Sequence, residues 1–345
     1  MKSKLPSKSN LILAGIALLL AFAVTVLIFI SSKYQHSSEI PAYKANQPEI
    51  NFNITQPLPQ KIQLNQDKVA LGQKLFHDAR LSKDNTISCA SCHNLANGGS
   101  DNRARSIGVK GSVGTINSPT IFNSGFNFAQ FWDGRAATLE DQVEGPIHHP
   151  KEMGSSWQQI IAKLKTDESY ASAFNKLYED GINPSNIKDA IATFDRSLIT
   201  PNSRFDKFLQ GDKNAINSME KNGYALFQSY GCASCHQGIN LGGNMYEKMG
   251  LMGDYFADRG NITEADRGRF NLNHAPESMY EFKVPGLRNV ELTAPYFHDG
   301  NAKTLEQAID IMAKYQLGRT IPQQDTEAIA AFLRTLTGEY QNKPL

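Results

Sequence analysis

The sequence predicts a mainly α chain made of two similar domains behind an N-terminal membrane-spanning helix. Three observations carry this. A five-residue string, Cys-Ala-Ser-Cys-His, occurs twice, with Cys89, Cys92 and His93 and again with Cys232, Cys235 and His236. Further matches recur at a constant offset of 166 residues, Asp133-Gly134 with Asp299-Gly300 and Thr138-Leu139-Glu140 with Thr304-Leu305-Glu306. Apolar residues recur at helical spacing along much of the chain, while alternating strand patterns are sparse. An internal repeat of this kind indicates duplication of one structural unit.

The chain has 345 residues and a net charge of +1. That is length for two domains of about 100–150 residues once a terminal segment is set aside. The balanced charge offers no field for nucleic acid, so none is expected as a partner. In residues 1–30, Lys2, Lys4 and Lys8 precede an uncharged run from Leu11 to Ile30. Twenty helical residues rise about 30 Å, the thickness of a bilayer core. The run ends Leu27-Ile28-Phe29-Ile30 without an Ala-x-Ala cleavage pattern, so it reads as an uncleaved anchor and not a cleaved signal. The lysines hold the N-terminus inside, which places residues 31–345 in the periplasm, anchored to the inner membrane by residues 11–30.

Residues 31–60 are polar and carry Pro41, Pro48, Pro57 and Pro59. They read as a mostly extended tether, with His36 a solvated residue in it. The first domain covers 61–200. Asn65 caps a short amphipathic helix bearing Val69, Leu71, Leu75 and Phe76. The first cysteine string and a glycine-rich, basic loop over 97–114 follow, and helical patterns resume through 156–165, 168–178 and 186–199. The second domain covers 201–345. A helix through Tyr224, Leu226 and Phe227 leads into the second string. A long loop rich in glycine and methionine runs to about Pro276, and two helices over 304–315 and 323–337 close the chain.

Cys-x-x-Cys-His is the attachment signature of c-type haem. Each thiol adds across a haem vinyl group, and the adjacent histidine reaches the iron as proximal ligand. A redox disulfide needs no histidine, and a four-cysteine zinc site would leave both histidines idle. All four cysteines are used, which suits an oxidising compartment. The fold class is therefore two cytochrome c-like domains, each with one covalent haem c. The copies differ where the sixth ligand would stand. In the second, Met312 follows Thr304 by eight residues. A His/Met iron has a raised potential suited to moving electrons. Met249, Met252 and Met279 are rival ligands, and core filling is the plain alternative for any methionine. The equivalent of Met312 in the first copy is Pro146, which has no atom to offer, and Glu152 stands nearby. An open iron beside an acid–base group binds small oxidants, whereas a closed one passes electrons.

Five stretches are Leu71-Gly72 through Arg80-Leu81-Ser82, Cys89 to Asn94, Asn117-Ser118-Pro119-Thr120, Ala129 to Arg135, and Leu292 to His298. Together they closely resemble the bacterial di-haem cytochrome c peroxidases over nearly all of residues 61–340. The resemblance implies a peroxidatic N-terminal haem and an electron-receiving C-terminal one. It places Gln142 and Glu152 on the family's distal glutamine and catalytic glutamate, and Trp132 on the tryptophan between the haems. Asn117, Thr293 and Pro295 fall on a calcium site, the latter two through backbone carbonyls, and oxygen ligands suit that hard cation. The implied reaction is reduction of hydrogen peroxide to water with electrons from a small c-type cytochrome, a cupredoxin or quinol, in a homodimer. His148 and His149 read as pocket-edge residues and His298 as hydrogen-bonding near a haem, with His77 and His274 structural. The sequence departs from the family in the loop after the first haem. A histidine that caps the peroxidatic iron in many members falls on Val109 here, and Arg103 to Ile116 contains none. Two alternatives stand beside the peroxidase. A MauG-like oxidase of a protein side chain would carry tyrosine in place of Met312. A non-enzymatic di-haem electron carrier would have no use for Pro146 and Glu152.

Overall fold

The computed structural model describes residues 55–345. The expected anchor at 11–30 and most of the expected tether, His36 included, lie outside the described residues. Among the described residues no helix is long and apolar enough to cross a membrane.

Among the described residues, nine helices longer than a single turn or so carry the architecture: α1 (Gln66–Phe76), α2 (Leu139–His148), α3 (Trp157–Lys165), α4 (Glu168–Leu177), α5 (Pro184–Ser197), α6 (Arg204–Leu209), α7 (Ser218–Ser229), α8 (Leu305–Leu317) and α9 (Gln323–Arg334). The Asn65 side chain accepts from Asp67 N and Lys68 N, satisfying the free donors at the start of α1. Strands are few and short. β1 (Tyr246–Lys248) pairs antiparallel with β2 (Glu281–Lys283), and β3 (Glu339–Tyr340) with β4 (Lys343–Pro344).

Two helix crossings organise the packing, α1 on α5 and α7 on α9. Each has a glycine at the point of closest approach. A Cβ on Gly72 would overlap the Ala190 carbonyl oxygen, and one on Gly223 the Ala328 carbonyl oxygen. Phe194 and Phe332 lie against the same two glycines. One core, with Leu71, Leu75, Ile160, Phe174 and Ile191, is drawn from residues 71–191. Another, with Phe205, Phe227, Leu305, Ile329 and Phe332, is drawn from residues 205–336.

The sequence repeat is also a backbone repeat. Asn123 and Asn289 are both left-handed, at φ 61° and 60°, and Phe131 and Phe297 both have φ 68°. Gln130 bridges Ala136 as Tyr296 bridges Ala302. Thr138 caps α2 by accepting from Asp141 N, and Thr304 caps α8 by accepting from Gln307 N. Positive φ on a bulky residue costs about 1–3 kcal/mol, so its recurrence at one offset marks an inherited turn, not an accident of packing. The copies part after the cap. α8 continues for 13 residues, whereas α2 has Pro146 inside and stops after 10, because proline lacks the donor and crowds the preceding turn.

The last residues of the expected tether are packed. Thr55 and Leu58 are buried. Leu58 N donates to Asp206 Oδ1 at 3.2 Å, and Arg288 Nη2 donates to Gln56 O at 2.9 Å. Asp206 and Arg288 form a fully enclosed ion pair at 2.8 Å. These contacts are made largely through the backbone of 55–60, so side-chain polarity gave no sign of them.

Candidate functional site

Each cysteine string folds as one tight turn, which puts its histidine back over its first cysteine. His93 N donates to Cys89 O at 2.9 Å, and His236 N to Cys232 O at 3.0 Å. The rings are oriented alike. His93 Nδ1 lies 3.3 Å from Gly99 O, and His236 Nδ1 lies 3.2 Å from Leu241 O. A carbonyl can only accept, so Nδ1 carries the proton and Nε2 keeps its lone pair, as a metal-ligating imidazole requires. Burial holds both imidazoles below their ordinary value and therefore neutral.

All four cysteines are free. Burial pushes Cys89 up to about 12 and Cys92 and Cys232 up to about 11, and it raises Cys235 as well. A redox Cys-x-x-Cys pair needs a depressed thiol, and none is present here. Protonated thiols able to add to a vinyl group, beside a neutral imidazole with a free Nε2, fit a covalently held haem at each string.

At the second string, Cys232, Cys235, His236 and Met312 line a mostly apolar cavity of about 270 Å³. That is far more than the ~30 Å³ share of one water. Of the rival methionines only Met249 reaches the same cavity, while Met252 is 66 % exposed. Asn117, Thr293 and Pro295 line it too. Asn117 Nδ2 donates to Arg103 O at 2.7 Å, which leaves Oδ1 free as a neutral acceptor of the kind calcium takes. Trp132 stands at the edge of this cavity. Its Nε1 donates to Asn117 O at 2.9 Å, and its own carbonyl accepts from Lys283 N at 2.8 Å.

Around the first string the chain turns sharply after α2. Glu152 N donates to His149 O and Met153 N to Pro146 O, while Glu152 O accepts from Val109 N at 2.8 Å. Val109 is thus buried against the glutamate's own backbone. Burial raises the Glu152 carboxyl above the ordinary carboxylate value, against the opposing pull of His149 and Arg135. His149 Nδ1 lies 3.4 Å from Glu152 Oε1. The carboxylate is felt at the haem-attachment cysteine, since the Cys92 thiol is raised first by burial and then by Asp101 and Glu152. Gln142 sits on α2, and its side-chain amide has no hydrogen-bond partner among the described residues. His148 is engaged by Glu144 at 3.0 Å and by Ser155 O at 3.2 Å. Met153 is buried in the first core. Only His149 of the three residues flanking Glu152 faces its carboxylate.

Several groups were not foreseen. Arg135 lies over the Phe131 ring at 3.5 Å and pairs with Asp133 at 3.0 Å. Its place in a quoted motif was visible, but its effect on Glu152 was not. His298, expected near a haem, has Nε2 2.7 Å from Asp266 Oδ1 and a ring stacked on Phe282 at 4.5 Å. Asp266, His298 and Asp299 are close enough to hold a metal, but the Arg259 guanidinium already bridges both carboxylates at 2.8 Å and 2.6 Å. Asp195, on α5, is buried with Oδ1 unpartnered among the described residues, and burial pushes its carboxyl up to about 8.

The sequence profile of the di-haem cytochrome c peroxidase family matches residues 66–214. The chain is 53 % identical over 294 residues to the Escherichia coli K12 cytochrome c peroxidase Ccp, covering 85 % of this chain but only 63 % of that longer protein. It is 46 % identical over 285 residues to the cytochrome c551 peroxidase of Nitrosomonas europaea, covering 82 % and 84 %. Among solved structures, a MauG-like protein associated with microbial copper homeostasis superposes with a TM-score of 0.72 at 30 % identity, over 86 % of this chain and 96 % of that one. With its two haem-attachment strings set in a repeated helical scaffold, the chain belongs to the di-haem cytochrome c peroxidase family of haem enzymes.

Proposed function

We propose that this protein reduces hydrogen peroxide to two waters, taking two electrons and two protons per turnover. The observation that carries this is the asymmetry within the repeat: one scaffold supplies Met312 at the second string and Pro146 with Glu152 at the first. His93 would hold the haem iron, which would supply the redox chemistry at the O–O bond. The chain's own residues manage the protons. Glu152 takes the proton from the inner peroxide oxygen and returns it to the outer one, which leaves as water. Its raised carboxyl is suited to both halves of that exchange, and such help contributes roughly 10²–10⁴-fold. Gln142, with its amide uncommitted, orients the peroxide. Electrons enter at the second site, where His236 and Met312 would hold the haem iron, and Trp132 links the two halves.

The donor we favour is a small c-type cytochrome, because a relative at 46 % identity is named for cytochrome c551; cupredoxin and quinol are the other classes. Calcium at Asn117, Thr293 and Pro295 would brace the segment between the sites. The division into haem domains at 61–200 and 201–345 is supported by the two cores, periplasmic anchoring by the uncharged run at 11–30. A homodimer follows from family analogy alone.

The test is steady-state peroxide turnover by the purified di-haem protein with a reduced small c-type cytochrome. Absence of turnover, with both haems in place and the donor oxidised stoichiometrically, would favour the electron carrier instead.

A further inference from the structure

Among the described residues, the cations enclosed near the second site have anionic partners, with one exception. Arg288 is enclosed with Asp206, and Arg259 with Asp266 and Asp299. Lys283 is only 8 % exposed and lines the cavity shared by His236 and Met312. Its ammonium has neither an ion pair nor a hydrogen bond among the described residues. Neighbouring acids do not serve it. Glu281 pairs with Arg269 at 2.9 Å, and Glu247 accepts from Lys248 N at 2.8 Å. Burial alone pulls the ammonium down to about 8, as a cation without its anion would be. The backbone that carries this side chain is fixed in place, because Lys283 N donates to Trp132 O and the residue pairs with Tyr246 across β1 and β2. Burying a charge is costly unless it is paired, and Glu247, the one acidic residue lining this cavity, makes no ion pair with Lys283 among the described residues, so the cavity suits an added anion beside the ammonium.

A haem carries two propionate carboxylates of its own. We propose that Lys283 is the counter-ion of a propionate of the haem at the second site, and that its charge raises that haem's reduction potential. The inference rests on the reading that the second string holds haem. A positive charge near the iron favours the less positive, reduced state. Because Lys283 is hydrogen-bonded through its backbone to Trp132, the same residue ties the propionate edge of that haem to the segment between the two halves. Lys283 is a positioning residue in this account, and it touches neither peroxide nor Glu152.

The experiment uses the holoprotein. Covalent haem is counted first by pyridine haemochrome, and fewer than two per wild-type chain would defeat the haem reading itself, separately from the role of Lys283. Lys283→Met and Lys283→Arg are then titrated potentiometrically. The methionine variant should lose about tenfold in the equilibrium constant for reducing the second haem, equivalent to 59 mV for a one-electron couple, and the arginine variant should stay close to wild type. A fully loaded methionine variant with an unchanged potential overturns the proposal. In the wild-type protein, a propionate bending mode in the resonance Raman spectrum should shift on exchange into D₂O. Its insensitivity would overturn the proposal even if the methionine variant fails to load haem.

Discussion

Replacing Asp195 by asparagine preserves the shape of the side chain and removes a charge the fold disfavours. Burial raises this carboxyl from 3.8 to about 8, and its Oδ1 has no partner among the described residues. The folded protein therefore holds the proton more tightly than the unfolded chain. The stability tied to that proton is fully present below about pH 4 and is lost as the pH rises towards 8. Each pH unit in that window is worth about 1.36 kcal/mol. At pH 7 the gap from the unfolded value is about three units, or about 4 kcal/mol at most before the surroundings relax. A carboxamide at this position cannot ionise, so Asp195→Asn should match the parent near pH 4 and gain roughly 2–4 kcal/mol by pH 7. Urea unfolding of the di-haem protein at intervals from pH 4 to pH 8 gives the difference directly. A difference that stays constant with pH would mean that Asp195 titrates normally and that a partner or water reaches it.

Glu152→Gln should retain both haems and lose roughly two to four orders of magnitude in peroxide turnover; near-normal turnover would remove Glu152 from the mechanism. Since burial raises the Glu152 carboxyl, wild-type activity should fall with pH through a limb lying above the ordinary carboxylate value of 4.5, and the glutamine variant should lack that limb. Met312→His should lower the potential of the second haem, because axial identity is a main lever on potential; an unchanged value would point to Met249, which lines the same cavity. With Val109 where a capping histidine would stand, the oxidised protein should hold its first haem high-spin and react with peroxide without prior reduction. A purely low-spin first haem would contradict this, and His149→Ala would then be the variant to restore the high-spin signal.

The cysteine strings and the offset between the copies were legible because covalent attachment and helix capping leave fixed residues at fixed spacings. The helices followed for the same reason: Asn65 and Thr304 cap where the pattern placed a start, and Thr138 caps α2 at the matching offset. What stayed hidden was pairing across the chain. Nothing in a linear reading joins Arg135 to Glu152, Lys283 to the cavity of Met312, or Arg259 to Asp266 and Asp299. Those neighbours are set by how irregular loops close over the helices. The packing of Leu58 was hidden too, because it is secured by a backbone donor and a buried ion pair, which no hydropathy pattern records.

On the proposed role of Trp132 as the link between the two halves, its two hydrogen bonds bear on how current between them could be regulated. Its indole is fastened to Asn117 O and its carbonyl to Lys283 N. Swinging the ring aside would strand the indole N–H and the Asn117 carbonyl, at about 1–3 kcal/mol for each buried group, while the main-chain bond to Lys283 pins the backbone from which it swings. A strut bolted at both ends makes a poor shutter. Control of electron flow past it would then be thermodynamic, set by the relative potentials of the two irons and by whatever holds the distal side of the first, while the conduit stays still.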